Sequence, residues 1–552
     1  MAVSLVLLVR AAHLAARWQD RAVQSRRVAT LLVLGVVLGA CSSSSARDAG
    51  PAPAAGSAGT PSSPASPASP GASGSGPAAS GASPSAGPAL TWGKCPSGVD
   101  ASTRAQCATL VVPLDRTGRV AGTVGLQLIR RKATGTSGRL GSLLINPGGP
   151  GGSTVTDFDF LYDQLSTKLR ERFDVVGWDP RGVGRSSPVR CVSDARLDVL
   201  LAESPDTTTP AGVADASAGA KEYVRGCESH SSLRLPFIGT RDTARDMDAI
   251  RAAVGDAKTT YLGYSYGTEL GYSYASLFPD RVRALVLDGA TDPAISLLEH
   301  GRQQTIGFQN ALYAFLDDCA AQPSCAWKHQ GGVRPAFSNL LAQVKLAPLR
   351  TTKGNRVLTA SLFTTGVAAA LYDKEAWGTL QQALESARQG DGTIMLFLAD
   401  ALSGRNANGT YDNLYDAFTT ISCLDNPVPD GTQPWIEAAK ELRAKAPDFA
   451  DGQLATTGPG YTCSLFNNRP TEPALPPTVT GAPPALIIGA TGDPATPLVE
   501  TQGMARAYQG SVLLTRKGEG HTSYGASDCV RRLADRYLID VRLPATGTVC
   551  GS

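Results

Sequence analysis

TTYLGYSYGTELGYSYASLFPDRVRALVLD, residues Thr259 to Asp288, reads as a strand, a sharp turn, a helix and a second strand in succession. The apolar pair Tyr261-Leu262 leads into Gly263-Tyr264-Ser265-Tyr266-Gly267, and Ala284 to Leu287 has the composition of a buried strand. A serine on a strand-to-helix turn takes a strained backbone conformation, and the residues two positions away must be small for the turn to close. The turn lifts the Ser265 hydroxyl over the positive end of a helix, beside the Tyr266 N–H. That N–H can donate to an oxyanion once Ser265 attacks a carbonyl. A bare Gly-x-Ser-x-Gly arises often by chance. Here the flanking elements follow in the right order, which favours a nucleophile over a plain tight turn.

Working outward, Ala108 to Leu114 and Val124 to Arg130 read as paired strands, since Val124, Leu126 and Leu128 alternate with polar or small residues. Leu143 to Ile145 and Phe173 to Val176 (Asp174 apart) are apolar runs suited to strands covered on both faces. Ala244, Met247, Ile250 and Val254 recur at helical spacing, with Thr240 as N-cap and Gly255 as stop. Strands and helices alternating at this pitch imply an α/β fold with a mostly parallel sheet. After Asp288 the pattern changes to helix-like stretches, such as Gln304–Asp317, Glu375–Gln389 and Pro434–Lys445. Buried-strand runs return at Ala485 to Ile488 and Val512 to Leu514. A helical block between strands of one sheet is how a cap over an active site is built.

A serine nucleophile needs a base. The five histidines are 13, 230, 300, 329 and 521. With the order nucleophile, acid, histidine expected of this strand–turn–helix arrangement, acid and base belong on loops after late strands. His13 precedes the folded part, His230 is too early, and His300 and His329 fall in the helical block. That leaves His521, in Gly518-Glu519-Gly520-His521 after the Val512–Leu514 strand. The acid is expected on the preceding strand's loop, where Asp493 stands in Gly492-Asp493-Pro494-Ala495-Thr496-Pro497. A turn-forming role is the plain alternative for such an Asp. Glu519 is the rival acid, disfavoured because it lies two positions before the histidine, and Thr496 could bond to either partner. A second oxyanion donor should come from a loop whose backbone approaches the substrate. Asn146-Pro147-Gly148-Gly149-Pro150-Gly151-Gly152-Ser153 fits, and it carries neither a dinucleotide fingerprint nor a P-loop lysine.

The 552 residues carry a net charge of +3 with 18% charged residues mixed in sign, so nothing marks a nucleic-acid surface. Arg21, Arg26 and Arg27 precede the apolar run Leu31 to Leu38, too short to span a bilayer, which reads as a secretory signal. Its ending, Leu38-Gly39-Ala40-Cys41, resembles a bacterial lipobox, which makes Cys41 a lipid anchor. Ser42 to about Ala89 is almost wholly Ala, Ser, Pro and Gly and reads as a disordered tether. Of the eleven cysteines, the ten after Cys41 form no CxxC pair or Cys/His cluster, so disulfides are expected and no metal. Paired in chain order they would join 95–107, 191–227, 319–325, 423–463 and 529–550, although sequence leaves the connectivity open.

Gly-Gly-Pro-Gly at 148–151, Asp179-Pro-Arg-Gly-Val-Gly-Arg-Ser186, the GYSYG turn, Asp493-Pro-Ala-Thr-Pro and Gly520-His521 together resemble the secreted α/β-hydrolase peptidases of actinobacteria. These are the tripeptidyl aminopeptidase group, related to proline iminopeptidase. In iminopeptidase relatives the glycine loop begins with His, whereas Pro147 holds that place here, as in the tripeptidyl group. The resemblance runs from about Trp92 to the C-terminus. It implies an α/β-hydrolase fold with a large helical cap inserted between late strands, and Gly149 and Tyr266 as oxyanion donors. It also implies acidic cap residues that bind a substrate α-ammonium group, for which Asp425 is the candidate against a plain turn role. The Asp179–Ser186 loop is expected to be scaffold, its Asp and Arg pairing to support the glycine loop.

The expected organisation is a signal peptide (1–40), lipidated Cys41 with a tether (41–90), a first core part (91–292), a helical cap (293–477) and a C-terminal core part (478–552). The expected activity is that of a serine exopeptidase with the triad Ser265, Asp493 and His521, releasing short peptides from free N-termini through an acyl-enzyme. A carboxylesterase or lipase with the same triad is the alternative, since fold and triad do not choose between amide and ester. No cofactor and no nucleic-acid partner is expected. The protein should be a monomer, held at the outer face of the cell membrane by its lipid alone.

Overall fold

The computed structural model describes residues 90–99, 102, 104–231, 234–325, 331–426, 428–450, 459–466 and 475–551. The signal-like segment, Cys41, the Ala/Ser/Pro/Gly tract to residue 89, and His13 and His329 lie outside them. Strands β1 (Gln106–Pro113), β2 (Thr123–Arg131), β3 (Ser142–Asn146), β4 (Asp174–Trp178), β5 (Thr259–Tyr264) and β6 (Val282–Asp288) precede the helical block. Within that block β7 (Leu349–Arg350) and β8 (Val357–Leu358) pair antiparallel as two short strands, and β9 (Leu486–Gly492), β10 (Val512–Glu519) and β11 (Val549–Cys550) follow the block. Apart from that pair, the described strands make one sheet ordered β1-β2-β4-β3-β5-β6-β9-β10-β11. It is parallel from β4 onward, and β2 pairs antiparallel with both β1 and β4.

Period-two alternation gives the sheet two covered faces. Leu144, Tyr261, Leu285, Leu287 and Ile487 pack with helices Thr240–Ala253 and Gly267–Leu277 on one side. Leu143, Ile145, Leu262, Val286, Leu486 and Ile488 pack with helices Phe158–Gln164 and Asp528–Asp540 on the other. Burial of this kind stabilises by roughly 25 cal/mol per Å² of apolar surface.

The chain leaves the sheet after β6 and re-enters at β9, its neighbour, with Asp288 opposite Ile488. Helices Leu297–Ala321, Val333–Leu346, Ala360–Leu371, Trp377–Arg388 and Thr393–Ser403 surround a separate core that includes Phe308, Leu312, Phe363 and Leu396. Ala495, beside Asp493, belongs to that core, so the block packs onto the acid's loop. Helix Leu414–Asp425 instead buries Ala417, Ile421 and Leu424 against the sheet's own core. Two helices ahead of β5 join this roof. Asp194–Ala202 packs Leu197 and Leu201 on Tyr411, and Tyr223 of Pro210–Ser231 donates to Asp416 at 2.6 Å.

Five disulfides join Cys95–Cys107, Cys191–Cys227, Cys319–Cys325, Cys423–Cys463 and Cys529–Cys550. Each closes a local loop of 6 to 40 residues and is worth on the order of 2–4 kcal/mol.

Candidate active site

Ser265 has φ +53°, in the left-handed region that a non-glycine residue occupies only when its surroundings impose it. Its N–H donates to Asp288 O at the end of β6 (2.8 Å), and its own carbonyl accepts from Thr268 N (2.8 Å). The flanking glycines are required by space. A Cβ on Gly263 would lie 2.4 Å from Gly267 O, and one on Gly267 would lie 2.9 Å from Asn146 O. The glycine loop after β3 is equally close, since a Cβ on Gly148 would sit 3.0 Å from Tyr266 N and 3.1 Å from Ser265 Cβ. Gly149 and Tyr266 thus line the cleft next to Ser265.

Asp493 follows β9, and its buried carboxylate meets His521 Nδ1 at 2.9 Å through both oxygens. Oδ1 also accepts from Ala495 N and Thr496 N (2.9 Å each), and Oδ2 accepts from the Thr496 hydroxyl (3.1 Å). Held by these donors, the carboxylate orients the ring, so the Nδ1–H tautomer is the one that fits. His521 Nε2 is buried and has no hydrogen-bond partner among the described residues. The ring lies beside the elbow: a Cβ on Gly289, next to the Asp288 that accepts from Ser265, would be 3.0 Å from His521 Cε1. Glu519, the rival acid, closes β10 and stands over Gly492, where an added Cβ would strike its Oε2.

The histidine loop is held on three sides. Asp288 accepts from Ser523 N (3.0 and 2.9 Å) and Tyr524 N (2.7 Å), and burial pushes its carboxyl up to about 6 against those bonds. Arg516 donates to the carbonyls of Glu519 and Gly520 at 3.0 Å and Thr522 at 3.2 Å. From the helical block, Tyr372 O accepts from His521 N (2.8 Å) and the Tyr372 ring meets the imidazole edge-on at 5.5 Å.

Two expectations need correction. The Asp–Arg pairing within the 179–186 loop is made by a backbone bond, Arg185 N donating to Asp179 Oδ2 at 2.8 Å, and the Arg181 guanidinium donates to Asp246 at 2.7 and 2.8 Å. Asp179 does support the glycine loop, through Ser153 Oγ (2.9 Å) and Val155 N (3.0 Å), with burial raising its carboxyl to about 6. Thr240 is not the N-cap of its helix. Gly239 holds that place, and Asp425 accepts from Thr240 N at 2.8 Å and from its hydroxyl at 2.5 Å. The carboxylate therefore does from 185 residues away what a capping side chain does locally.

A cleft of about 630 Å³, open to solvent, runs from Ser265 between sheet and roof. Its walls include Gly149, Glu269, His300, Phe418, Asp425 and Thr496. Burial raises the Asp425 carboxyl to about 7 against the Thr240 bonds. Burial also raises Glu269, against a hydrogen bond from Thr291 Oγ (2.9 Å) and the charge of His300. Burial opposes charging of His300, but Glu500 at 2.9 Å outweighs it and lifts its pKa. Glu269 went unnoticed in the sequence, although it stands one helical turn after Ser265 and so shares its face. His300, set aside as a base, is nonetheless a cleft residue, because helix Leu297–Ala321 crosses over the Asp493 loop, with Gln304 donating to Ala495 O (2.8 Å).

The α/β hydrolase fold family matches residues 141–524. The chain is 36% identical over 486 residues to serine protease Hip1 of Mycobacterium tuberculosis, covering 85% of this chain and 92% of that one. It is 34% identical over 475 residues to carboxylesterase B of the same organism, covering 85% and 91%. It is 30% identical over 478 residues to the tripeptidyl aminopeptidase of Streptomyces lividans, covering 84% and 86%. The family match spans the segment that holds Ser265, Asp493 and His521, and the chain belongs to the α/β-hydrolase family.

Proposed function

We propose that the protein is a serine exopeptidase that releases short peptides from free N-termini. Ser265 Oγ attacks the scissile carbonyl while His521 Nε2 takes its proton, and Asp493 holds the imidazole and stabilises the imidazolium. The N–H groups of Tyr266 and Gly149 receive the oxyanion. Collapse of the tetrahedral intermediate protonates the leaving amine from His521, and water then resolves the acyl-enzyme by the same route.

The observation that carries the peptidase reading is the pair of buried carboxylates, Glu269 and Asp425, on the wall of the cleft that holds Ser265. A buried carboxylate is costly unless donors or a cation meet it; His300 lies near Glu269, and a substrate α-ammonium supplies a cation to the Asp425 side of the cleft. Their place close to the nucleophile suits a chain that enters N-terminus first and leaves as a short fragment. Relatives named as a serine protease and a tripeptidyl aminopeptidase support this reading.

A carboxylesterase is the second reading, favoured by the relative of that name. A tripeptide p-nitroanilide with a free amine, its N-acetylated form and a short acyl p-nitrophenyl ester separate the two. The free-amine peptide should be turned over with a kcat/KM roughly 150-fold above the acetylated one, which is the lower end for breaking a buried ion pair, about 3 kcal/mol, at 1.36 kcal/mol per decade. Equal rates on the two peptides would remove the aminopeptidase assignment.

The same proposal places the enzyme outside the cytoplasm, anchored through Cys41. The five disulfides support an oxidising compartment, and the Leu38-Gly39-Ala40-Cys41 ending supports the anchor.

A further inference from the structure

Three side chains from distant segments form one hydrogen-bonded row beneath the cleft. The Thr240 hydroxyl donates to Asp425 Oδ2 at 2.5 Å, and the Tyr266 hydroxyl lies in hydrogen-bond contact with Thr240 Oγ1. A hydroxyl has one proton to give. With Asp425 ionised, Thr240 gives it its proton and accepts from Tyr266, so the row runs from the Tyr266 O–H through the Thr240 O–H to Asp425. With Asp425 protonated the same three groups remain bonded, and the tie between Tyr266 and Asp425 holds in either state. Thr240 and Tyr266 are 5% and 6% exposed, so water does not compete for these bonds. Burial and the nearby Asp425 charge keep the Tyr266 phenol protonated, in agreement with its place as donor.

The fold reserves room for this row. Gly239 has no side chain to cap the helix Thr240–Ala253, and a Cβ there would come within 2.8 Å of Asp425 Oδ1. The carboxylate fills that place at the positive end of the helix, where negative charge is favoured. The Cys423–Cys463 disulfide ties down the end of helix Leu414–Asp425 that carries it.

We infer that Thr240 is a positioning residue for the oxyanion side of the elbow: its hydroxyl ties Tyr266 to the fixed carboxylate of Asp425. Tyr266 is thereby held at both ends, by the elbow backbone and by its phenol, and its N–H stays aimed at the developing oxyanion. Donors fixed beforehand need no reorganisation in the transition state, so slack in this residue should lower kcat and leave substrate binding in place. The inference rests on Ser265 as nucleophile and Tyr266 as oxyanion donor, as read above. It does not depend on whether the substrate is a peptide or an ester.

The test compares Thr240→Val, Thr240→Ser, Tyr266→Phe and the Thr240→Val/Tyr266→Phe double variant. Each is assayed on a free-amine tripeptide p-nitroanilide and on a short acyl p-nitrophenyl ester, which has no amine to bind. Thr240→Val and Tyr266→Phe should each lower kcat about tenfold on both substrates, a fraction of what loss of an oxyanion donor costs, with KM within about twofold. Thr240→Ser, which restores the hydroxyl, should keep kcat within about twofold, and the double variant should be little worse than either single one. Equal losses for Val and Ser, an unchanged kcat in Thr240→Val, multiplying losses in the double variant, or a loss confined to KM for the free-amine peptide would each overturn the inference. Wild-type enzyme that turns over the ester and no peptide would refute the aminopeptidase reading alone, and the kcat comparison on the ester would still decide the role of Thr240. Should Thr240→Val fail to fold, Tyr266→Phe carries the same comparison from the other end of the row.

Discussion

Replacing Asp493 by Asn should nearly abolish turnover while leaving the fold intact, and the structure says why the amide must settle the wrong way round. Oδ1 accepts from two backbone N–H groups, Ala495 and Thr496, both at 2.9 Å. An Asn must keep its oxygen there, because its NH2 group cannot accept. The NH2 then takes the Oδ2 position, where it faces His521 Nδ1 at 2.9 Å and also meets the Thr522 N–H, while the retained oxygen stays 2.9 Å from the same ring nitrogen. The NH2 can only donate, so its bond to Nδ1 makes that nitrogen the acceptor and moves the ring proton to Nε2. That nitrogen, buried without a partner among the described residues, then carries the proton and cannot take another from Ser265. Loss of the base by tautomer inversion in such a triad lowers kcat by about 10⁴, or about 5 kcal/mol at 1.36 kcal/mol per decade. Stopped assays on the free-amine tripeptide p-nitroanilide, with thermal unfolding alongside, measure both parts. A folded Asp493→Asn variant that keeps more than about a tenth of wild-type kcat would refute the acid assignment, and Glu519 would have to be tested in its place.

Gly263→Ala should disrupt the elbow, because its methyl would sit 2.4 Å from Gly267 O and 2.6 Å from Tyr261 Cε1. A loss of about 1–3 kcal/mol by chemical denaturation, with kcat reduced, is expected, and unaltered stability would contradict the packing described. Arg181→Met strips Asp246, whose side chain is fully buried, of one of its two arginines and leaves Arg116 at 2.6 Å. With one partner retained the cost should lie near the lower end for breaking a buried pair, about 3 kcal/mol, again read by denaturation. The raised carboxyls set a pH trend. Asp179 and Asp288, near 6, and Asp425, near 7, hold protons in the native state that the unfolded chain releases near 4. Their contribution to stability is complete below about pH 4 and is lost as pH rises towards 7, because the native state binds more protons in that window. Melting temperatures from pH 4 to 8 should show Asp425→Asn flattening the upper part of this slope, and parallel curves for variant and wild type would count against it.

Much of this chain was legible before any coordinates. Glycines at 263 and 267, the apolar runs that became β3, β5, β6 and β9, and the return of strands after a helical stretch are all local patterns. They determined an elbow serine, a parallel sheet and an insertion before β9. Order along the chain did the rest for Asp493 and His521, because loops at the ends of adjacent parallel strands are neighbours whatever lies between β9 and β10. Pairings that no local pattern encodes were decided by the tertiary structure alone. Asp179 met its arginine through the Arg185 backbone, and Arg181 took Asp246, since the folded loop aims its guanidinium at helix Thr240–Ala253. Asp425 became the cap of that helix because Gly239 leaves a space that a carboxylate from another segment can enter. Glu269 and His300 came to face one cleft only when the roof closed over the elbow. Sequence spacing reports what a residue does within its own strand or helix. Which charges share a buried space depends on how those elements dock, and the cost of leaving any of them unpaired is settled only there.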